Sequence, residues 1–272
     1  MKPSAFDYAT PRDVEMAKNF IGKSEGTTKF VAGNQSLGPM LNLRLVRTNG
    51  LVDVSQLADL RRIDENDRTT FIGAAITHAE IEDGEVTDPT GGWMQQAASN
   101  IAHRAIRNRG TIGGSLCHAD PAADWVIIMT ALDADAIIDG PNGHRIMPIS
   151  NYITGPFSVA LENGEILIGV EIAKPGDGAI WGYWKYMRQV GEFAKASAAV
   201  YRDPVRGITR CTIGALDQKP ITLDDPISVF NGSMTPDDAL RSALPKKEPA
   251  HLTLHITALK RALQIAHRQK SK

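Results

Sequence analysis

Cysteine is scarce in this chain of 272 residues, which contains only Cys117 and Cys211. The two cysteines form no Cys-x-x-Cys pair, so the chain alone can hold neither a four-cysteine iron–sulfur cluster nor a four-cysteine zinc site. So little cysteine is also typical of proteins from a reducing compartment, and we expect this protein in the cytoplasm.

Long apolar runs and an excess of one charge are missing as well. The longest apolar stretch, at residues 125–132, is interrupted by Thr130 and is too short to span a bilayer. Residues 1–10 lack an apolar segment of the signal-peptide kind. Thirty Lys and Arg residues face 31 Asp and Glu residues, which leaves a net charge of -1. Because no broad basic field results, we expect no nucleic-acid partner and no membrane span.

The remaining composition, 42% hydrophobic and 22% charged, is that of an ordinary globular protein. Turn signals divide the chain into residues 1–55, 56–175 and 176–272. In the first part, Thr10-Pro11 predicts a helix start, and the helix ends within residues 22–26. Strands are predicted at 29–32 and 51–54, which together indicate a small parallel βαβ layer.

The second part alternates predicted strands and helices. The strands are predicted at 70–75, 134–139 and 165–172. A short helix capped by Thr77 covers 77–82, a longer helix covers 93–105, and Asp120-Pro121 caps and opens a helix that ends near residue 132. Residues 109–115 form a glycine-rich turn. In the third part, strands at 181–188, 196–201 and 207–215 predict an antiparallel sheet, followed by helices at 237–244 and 253–267.

Two glycine-bearing loops carry most of the chemical information: Ala32-Gly33-Asn34-Gln35-Ser36 and Thr111-Ile112-Gly113-Gly114-Ser115. Glycine lets backbone N–H groups approach an anion closely, and successive N–H groups in a turn form an anion-binding concavity. Glycine turns after strands also occur without a ligand, and neither loop matches the dinucleotide or phosphate-loop motifs. Spacing alone therefore leaves a diphosphate site and a plain turn both open.

The residues around these loops carry a family resemblance that extends over nearly the whole chain. Residues 30–37, FVAGNQSL, are similar to the family pattern A-G-G-[QH]-S-L, and residues 107–122, RNRGTIGGSLCHADPA, are similar to R-N-x-G-T-x-G-G-[NS]-x-x-H-A-D-P-A. The chain thus resembles the FAD-binding medium subunit of molybdenum hydroxylases, the xanthine dehydrogenase and carbon monoxide dehydrogenase type. Two positions depart from the pattern, Asn34 for a glycine and Ser115 for asparagine. Asn tolerates the left-handed region, so we expect the first turn to survive.

The resemblance implies an α+β fold: a two-lobed FAD-binding domain of the PCMH type, then a small C-terminal domain with a three-stranded antiparallel sheet and helices. It also implies the residues that bind FAD, with no catalytic residue and no metal ligand among them. Asp120 would bind sugar or ribityl hydroxyls, although it could equally cap a helix. Phe193 would lie near the isoalloxazine ring, although a core position is the alternative. The implied FAD-binding residues are Ala32, Gly33, Asn34, Gln35, Ser36, Leu37, Thr111, Gly113, Gly114, Ser115, Asp120 and Phe193.

The implied function is electron transfer within a larger complex. A large partner subunit would hold the molybdenum-pterin cofactor, and a small partner would hold two [2Fe–2S] clusters, assembled as a dimer of heterotrimers. Electrons would reach FAD in this chain and leave to an external acceptor. A free-standing FAD-dependent oxidoreductase and a flavin-free interaction subunit remain the alternatives. The sequence identifies neither the hydroxylated substrate nor the acceptor, because no substrate pocket or nicotinamide motif is visible.

Overall fold

Three β-sheets, each accompanied by helices, follow one another along the chain in the computed structural model, which describes residues 2–23 and 27–270. The first sheet has the strand order β1-β3-β2, and all of its pairs are parallel. The predicted parallel βαβ layer is therefore confirmed. The elements of this first lobe are β1 (Asp7–Ala9), α1 (Val14–Lys23), β2 (Thr28–Val31), α2 (Leu37–Asn42) and β3 (Gly50–Asp53).

The helix α1 buries Val14 and Ala17 against this sheet, as its helical spacing predicts. The predicted end of this helix falls partly on residues 24–26, which lie outside the described residues. The short helix α2 is not predicted from the sequence, because Gly38 and Pro39 within it are typical of a loop. Pro39 is nevertheless compatible with a first helical turn, where the backbone N–H needs no partner in the helix.

The second sheet has five strands in the order β4-β5-β10-β6-β7, and every pair in it is antiparallel. A separate two-stranded hairpin joins β8 and β9. The elements of this second lobe are α3 (Ala58–Arg61), β4 (Ile63–Glu65), β5 (Thr69–Gly73), α4 (His78–Glu82), α5 (Trp93–Ser99), α6 (Arg104–Arg107), α7 (Ile112–His118), α8 (Asp124–Leu132), β6 (Asp135–Gly140), β7 (Gly143–Pro148), α9 (Ile149–Tyr152), β8 (Ile153–Gly155), β9 (Ser158–Val159) and β10 (Ile166–Ala173).

Three predictions for this lobe need correction. The helix predicted at 93–105 is two helices, α5 and α6, because Ala102 has a left-handed φ of 44° that no α-helix continues through. The predicted glycine-rich turn at 109–115 is a helix start, since Thr111 caps α7 by accepting a hydrogen bond from Gly114 N. Asp120 is not a helix cap, because α8 begins at Asp124 after Ala123.

The third sheet has four antiparallel strands in the order β11-β12-β13-β14. The three predicted strands are present, and the short β14 makes the sheet four-stranded rather than three-stranded. The helix α12 packs so closely on this sheet that a Cβ at Gly182 would lie 1.9 Å from the Ala262 carbonyl oxygen. The elements are β11 (Ile180–Tyr186), β12 (Ala196–Asp203), β13 (Ile208–Gly214), β14 (Ile221–Thr222), α10 (Pro226–Asn231), α11 (Pro236–Ala243) and α12 (Pro249–Lys270).

One face of the third sheet joins the hydrophobic core of the second lobe around α8, and its other face forms a separate core with α10, α11 and α12. All nine residues of α8 are buried, and seven of them are apolar, as expected of a helix that packs on every side. Trp93 from the second lobe stacks on Trp181 of the third sheet, with ring centroids 5.4 Å apart. Among the described residues, no helix combines the length and the apolar character that crossing a membrane requires.

Candidate functional site

The loop between β2 and α2 presents a row of unused backbone donors. In the described part of the chain, none of the N–H groups from Gly33 to Leu37 has a hydrogen-bond acceptor. Asn34 adopts the left-handed conformation, with φ 59°, and Gln35 Nε2 donates to the Gly33 carbonyl at 2.8 Å. The turn therefore survives the replacement of glycine by Asn34. Unpaired backbone N–H groups need a partner when a ligand removes water from them, so this loop is built to receive an acceptor.

The second loop crosses the first in direct backbone contact. A Cβ on Gly33 would lie 2.0 Å from the Arg109 carbonyl oxygen and 2.7 Å from the Gly110 Cα. No residue with a side chain fits at position 33 without displacing that backbone, which explains the need for glycine there. Two loops that are far apart in the sequence thus form one continuous surface.

Hydrogen bonds on both sides of Thr111 hold the second loop in place. Its neighbours pair with the segment before α4, because His78 N donates to Gly110 O at 2.9 Å and Ile112 N donates to Ile76 O at 3.0 Å. Its hydroxyl accepts from Gly114 N at 3.0 Å. The Thr111 N–H itself has no acceptor among the described residues. It therefore adds one more free donor beside those of the first loop.

The two glycines of this loop have different surroundings. Gly114 is exposed, and a Cβ there would meet only the Thr111 hydroxyl, at 2.8 Å. Gly113 is buried, its N–H donates to Ala74 O at 2.9 Å, and its Cβ would lie 2.4 Å from the Ala74 Cβ. Gly113 therefore lies behind the surface and packs against the end of β5, where it has no donor to offer a ligand.

A cavity of about 870 Å³ lies along the crossing of the two loops. Eleven of the twelve residues expected from the sequence line it, and Gly113 does not. The eleven come from both lobes and from the loop before β12, so one crevice brings together residues from all three parts of the chain. They are Ala32, Gly33, Asn34, Gln35, Ser36, Leu37, Thr111, Gly114, Ser115, Asp120 and Phe193.

The sequence left two placements open for each of Asp120 and Phe193, and in the structure both residues lie on the cavity wall. Asp120 Oδ1 accepts from Ala122 N at 2.9 Å and closes a turn four residues before α8, so its carboxylate lies on the cavity wall. Phe193 is 56% exposed and therefore is not part of the core. It lies on the cavity wall together with Phe157, whose ring is 5.2 Å from that of His118.

Sequence reasoning missed an ion pair on the cavity wall. Lys185 Nζ lies 2.8 Å from Asp124 Oδ1, and the Tyr183 hydroxyl donates to the same oxygen at 2.7 Å. Lys185 also donates to the Asn100 carbonyl at 2.9 Å, which fixes the backbone before Ala102. Burial and the neighbouring carboxylate hold the pKa of Tyr183 well above its usual value. The available signal was the period of two in β11, which places Tyr183 and Lys185 on the same face.

A second missed residue is His78, at the first position of α4. It is 6% exposed and lines the cavity. Its Nδ1 accepts a hydrogen bond of 3.0 Å from the indole N–H of Trp125. Burial, with a smaller contribution from the Arg107 charge, lowers the pKa of His78 to about 4. The imidazole is therefore neutral near pH 7 and carries its proton on Nε2.

Cys117 also borders the cavity but is not a reactive thiolate. Its Sγ lies 3.2 Å from the hydroxyl of the buried Tyr152. Cys117 is exposed along the crevice, but desolvation of its sulfur raises the pKa of the thiol to about 11, which keeps it protonated at neutral pH. No cluster of three or more potential metal ligands occurs in residues 2–23 and 27–270. The crevice is equipped for an elongated anionic ligand, with free N–H donors where the loops cross and an aromatic ring at the rim.

Comparison with known proteins agrees with this arrangement. Residues 4–175 match the family model described as the FAD binding domain in molybdopterin dehydrogenase. The chain is 32% identical over 200 residues to the carbon monoxide dehydrogenase medium chain of Hydrogenophaga pseudoflava, which covers 74% of this chain and 70% of that one. It is 32% identical over 243 residues to the nicotine 6-hydroxylase medium subunit of Paenarthrobacter nicotinovorans, covering 88% and 85%.

Solved structures of the same class of proteins resemble this chain over nearly its whole length. Carbon monoxide dehydrogenase from Hydrogenophaga pseudoflava superposes with a TM-score of 0.89 at 26% identity, and 99% of each chain is covered. Quinoline 2-oxidoreductase from Pseudomonas putida 86 superposes with a TM-score of 0.87 at 27% identity, and the whole of each chain is covered. The likeness therefore includes the third sheet and its helices, beyond the range of the family model.

Proposed function

Because the chain belongs to the FAD-binding medium subunits of the molybdenum hydroxylase family, we propose that it is the electron outlet of such a complex. In this proposal, a small partner subunit with two [2Fe–2S] clusters delivers electrons and an external acceptor removes them. A large partner subunit holds the molybdenum-pterin cofactor and oxidises the substrate. The complex is a dimer of these heterotrimers in the cytoplasm, and this chain makes no contact with the organic substrate.

The observation that carries the proposal is the row of free backbone donors where two loops cross. A diphosphate has several anionic oxygens, and neutral N–H groups in a nest satisfy them without a lysine. We assign the diphosphate of FAD to the loop from Ala32 to Leu37 on one side and to the Thr111 N–H and the Ser115 hydroxyl on the other, where the exposed Gly114 leaves room for it. The backbone contact at Gly33 keeps the two sides at a fixed separation.

In this proposal, two other lining residues contact the remaining parts of FAD. The Asp120 carboxylate accepts hydrogen bonds from hydroxyls of the ribose or ribityl chain, and Phe193 covers one face of the ring system. When bound, FAD supplies the redox chemistry and connects one-electron donors with a two-electron acceptor. The protein's own share is to bind, to orient and to keep water from one face of the ring. No acid or base of this chain is required.

The decisive experiment is a cofactor count on the intact complex. We expect one FAD for each copy of this chain after denaturation, one molybdenum in a large partner and four irons in a small partner. Reduction of the complex should bleach the iron–sulfur absorption and the flavin absorption together. Activity of the isolated chain with a soluble donor, as a monomer, would instead establish a free-standing flavoenzyme. Absence of FAD from the intact complex would leave an interaction subunit.

A further inference from the structure

The two ring nitrogens of His78 differ in their hydrogen bonding: Nδ1 has a partner within the protein and Nε2 has none among the described residues. Nδ1 accepts the indole N–H of Trp125 at 3.0 Å, so the proton of the neutral ring is on Nε2. In the described part of the chain, Nε2 has no hydrogen-bond acceptor. His78 lines the cavity, so this N–H is open to water there rather than sealed in the core. A ligand that fills the crevice and displaces that water must supply an acceptor to this N–H, because a donor that is left buried and unpaired is costly.

The position of Nε2 shows where such an acceptor lies. A Cβ on Gly110 would be 2.9 Å from His78 Nε2, and a Cβ on Gly33 would be 2.7 Å from the Gly110 Cα. The imidazole edge is thus directly beneath the crossing of the two loops. The neighbouring donors are the free N–H groups of Gly33 and Thr111, and His78 itself lines the cavity. Gly33, Thr111 and His78 line one crevice, so their free N–H groups are available to a single anionic ligand.

We propose that His78 Nε2 donates a hydrogen bond to a diphosphate oxygen of FAD, and that Trp125 fixes the tautomer that makes this possible. The inference rests on the proposed function, because it names a further residue of the same cofactor site. His78 acts here as a neutral donor rather than as a cation. A neutral ring in a desolvated site can satisfy a phosphoryl oxygen without the large cost of burying an imidazolium.

Binding to the full-length chain, stripped of its flavin, tests the proposal with three ligands. FAD and ADP both contain the diphosphate, whereas riboflavin does not. His78→Leu removes the donor, His78→Gln keeps an amide N–H donor and an acceptor for Trp125, and the exposed His144→Leu serves as the control. Dissociation constants come from calorimetry for all three ligands. Thermal melting of each flavin-free variant shows whether it is folded.

His78→Leu should weaken FAD and ADP by the same factor, about 10- to 100-fold, which is the value of a hydrogen bond to a charged acceptor. His78→Gln should stay within about threefold of the parent, and riboflavin binding should not change in any variant. Equal affinities for His78→Leu and the parent would overturn the inference. A loss for FAD without a loss for ADP would also overturn it, because the donor would then face the ribityl chain or the ring.

A measurement on the unsubstituted protein covers the case in which His78→Leu does not fold. In ¹⁵N-labelled protein, the ring nitrogens should report the Nε2–H tautomer, and the Nε2–H resonance should move on addition of ADP but not of riboflavin. An unmoved resonance under saturating ADP would contradict the inference. If the parent chain binds neither FAD nor ADP, the proposed function fails before the role of His78 is reached.

Discussion

Gly33 and Arg109 meet backbone to backbone, so that a Cβ at residue 33 would lie 2.0 Å from the Arg109 carbonyl oxygen. The contact joins the end of the first parallel sheet to the turn that opens α7 in the second lobe. It explains how two loops separated by about 75 residues form one binding surface. The first loop supplies the free N–H groups from Gly33 to Leu37 and the second adds that of Thr111, so this close approach places both sets in one crevice.

Gly33→Ala is the most direct test of that contact. The added methyl group must push the two loops apart, which costs about 1–3 kcal/mol and spoils the alignment of the donors. We expect FAD binding to weaken by about 10- to 100-fold, measured by quenching of flavin fluorescence. Gly155→Ala is the matched control, because a Cβ there has its nearest neighbour at 4.0 Å. Full FAD occupancy in Gly33→Ala would show that the crossing is not the cofactor cradle.

Substitutions of Gly114 test whether the ligand that binds against the second loop is an anion. Gly114 is exposed on the cavity wall. Asp and Asn have nearly the same volume, so the two substitutions there differ mainly in charge. A carboxylate repels the diphosphate and an amide does not, and we expect Gly114→Asp to bind FAD about 100-fold more weakly than the parent. Gly114→Asn should lose about tenfold or less. Added salt should narrow the gap between the two variants, and equal losses for Asp and Asn would mean that volume alone acts here.

The local parts of the site could be predicted from the sequence because their signals are local. The Thr77 cap is one example, with Glu80 completing the capping box, and the turn at Asn34 is another. The strand-to-loop transition before Gly33 belongs to the same class, since a short apolar run ends in a glycine turn. Such features depend on residues within four positions of each other, so the chain itself displays them.

The missed parts depend on contacts between distant residues. Asp124 and Lys185 are 61 positions apart, and His78 and Trp125 are 47 apart. Nothing in either local segment indicates that these side chains meet. At Asp120 a local signal gave a wrong prediction. Asp-Pro is typical of a helix start, but α8 begins only at Asp124, and Asp120 closes a separate turn before it. Local propensity was overridden there by the packing of α8.

The depressed pKa of His78 predicts a loss of stability in mild acid. The folded protein keeps His78 neutral down to about pH 4, whereas the unfolded chain takes up a proton near pH 6.5. The folded state is therefore disfavoured as pH falls through 6.5, and the loss is complete near pH 4. Between pH 7 and pH 5 this amounts to about 2 kcal/mol.

Urea unfolding of the parent and of His78→Gln at pH 7, 6 and 5 measures this effect. Glutamine does not titrate, so the variant should lose less stability over the same range. His255, whose pKa burial also lowers, contributes with the same sign, and His255→Gln separates its share. Parallel pH profiles for the parent and His78→Gln would show that His78 does not titrate differently in the folded and unfolded states.

The buried ion pair of Lys185 and Asp124 predicts an asymmetric response to substitution. Lys185→Met leaves the Asp124 carboxylate in the core without its counter-charge, and we expect a loss of about 3–5 kcal/mol in the free energy of unfolding. Adding Asp124→Asn removes that charge and keeps an oxygen for the Tyr183 hydroxyl, so the double variant should be more stable than Lys185→Met alone. Lys174→Met, which breaks a surface ion pair with Glu65, should lower the free energy of unfolding far less. Denaturant melts of the parent, Lys185→Met, Asp124→Asn and the double variant give the coupling energy of the pair, and a double variant less stable than Lys185→Met would mean that the uncompensated charge is not the cause of the loss.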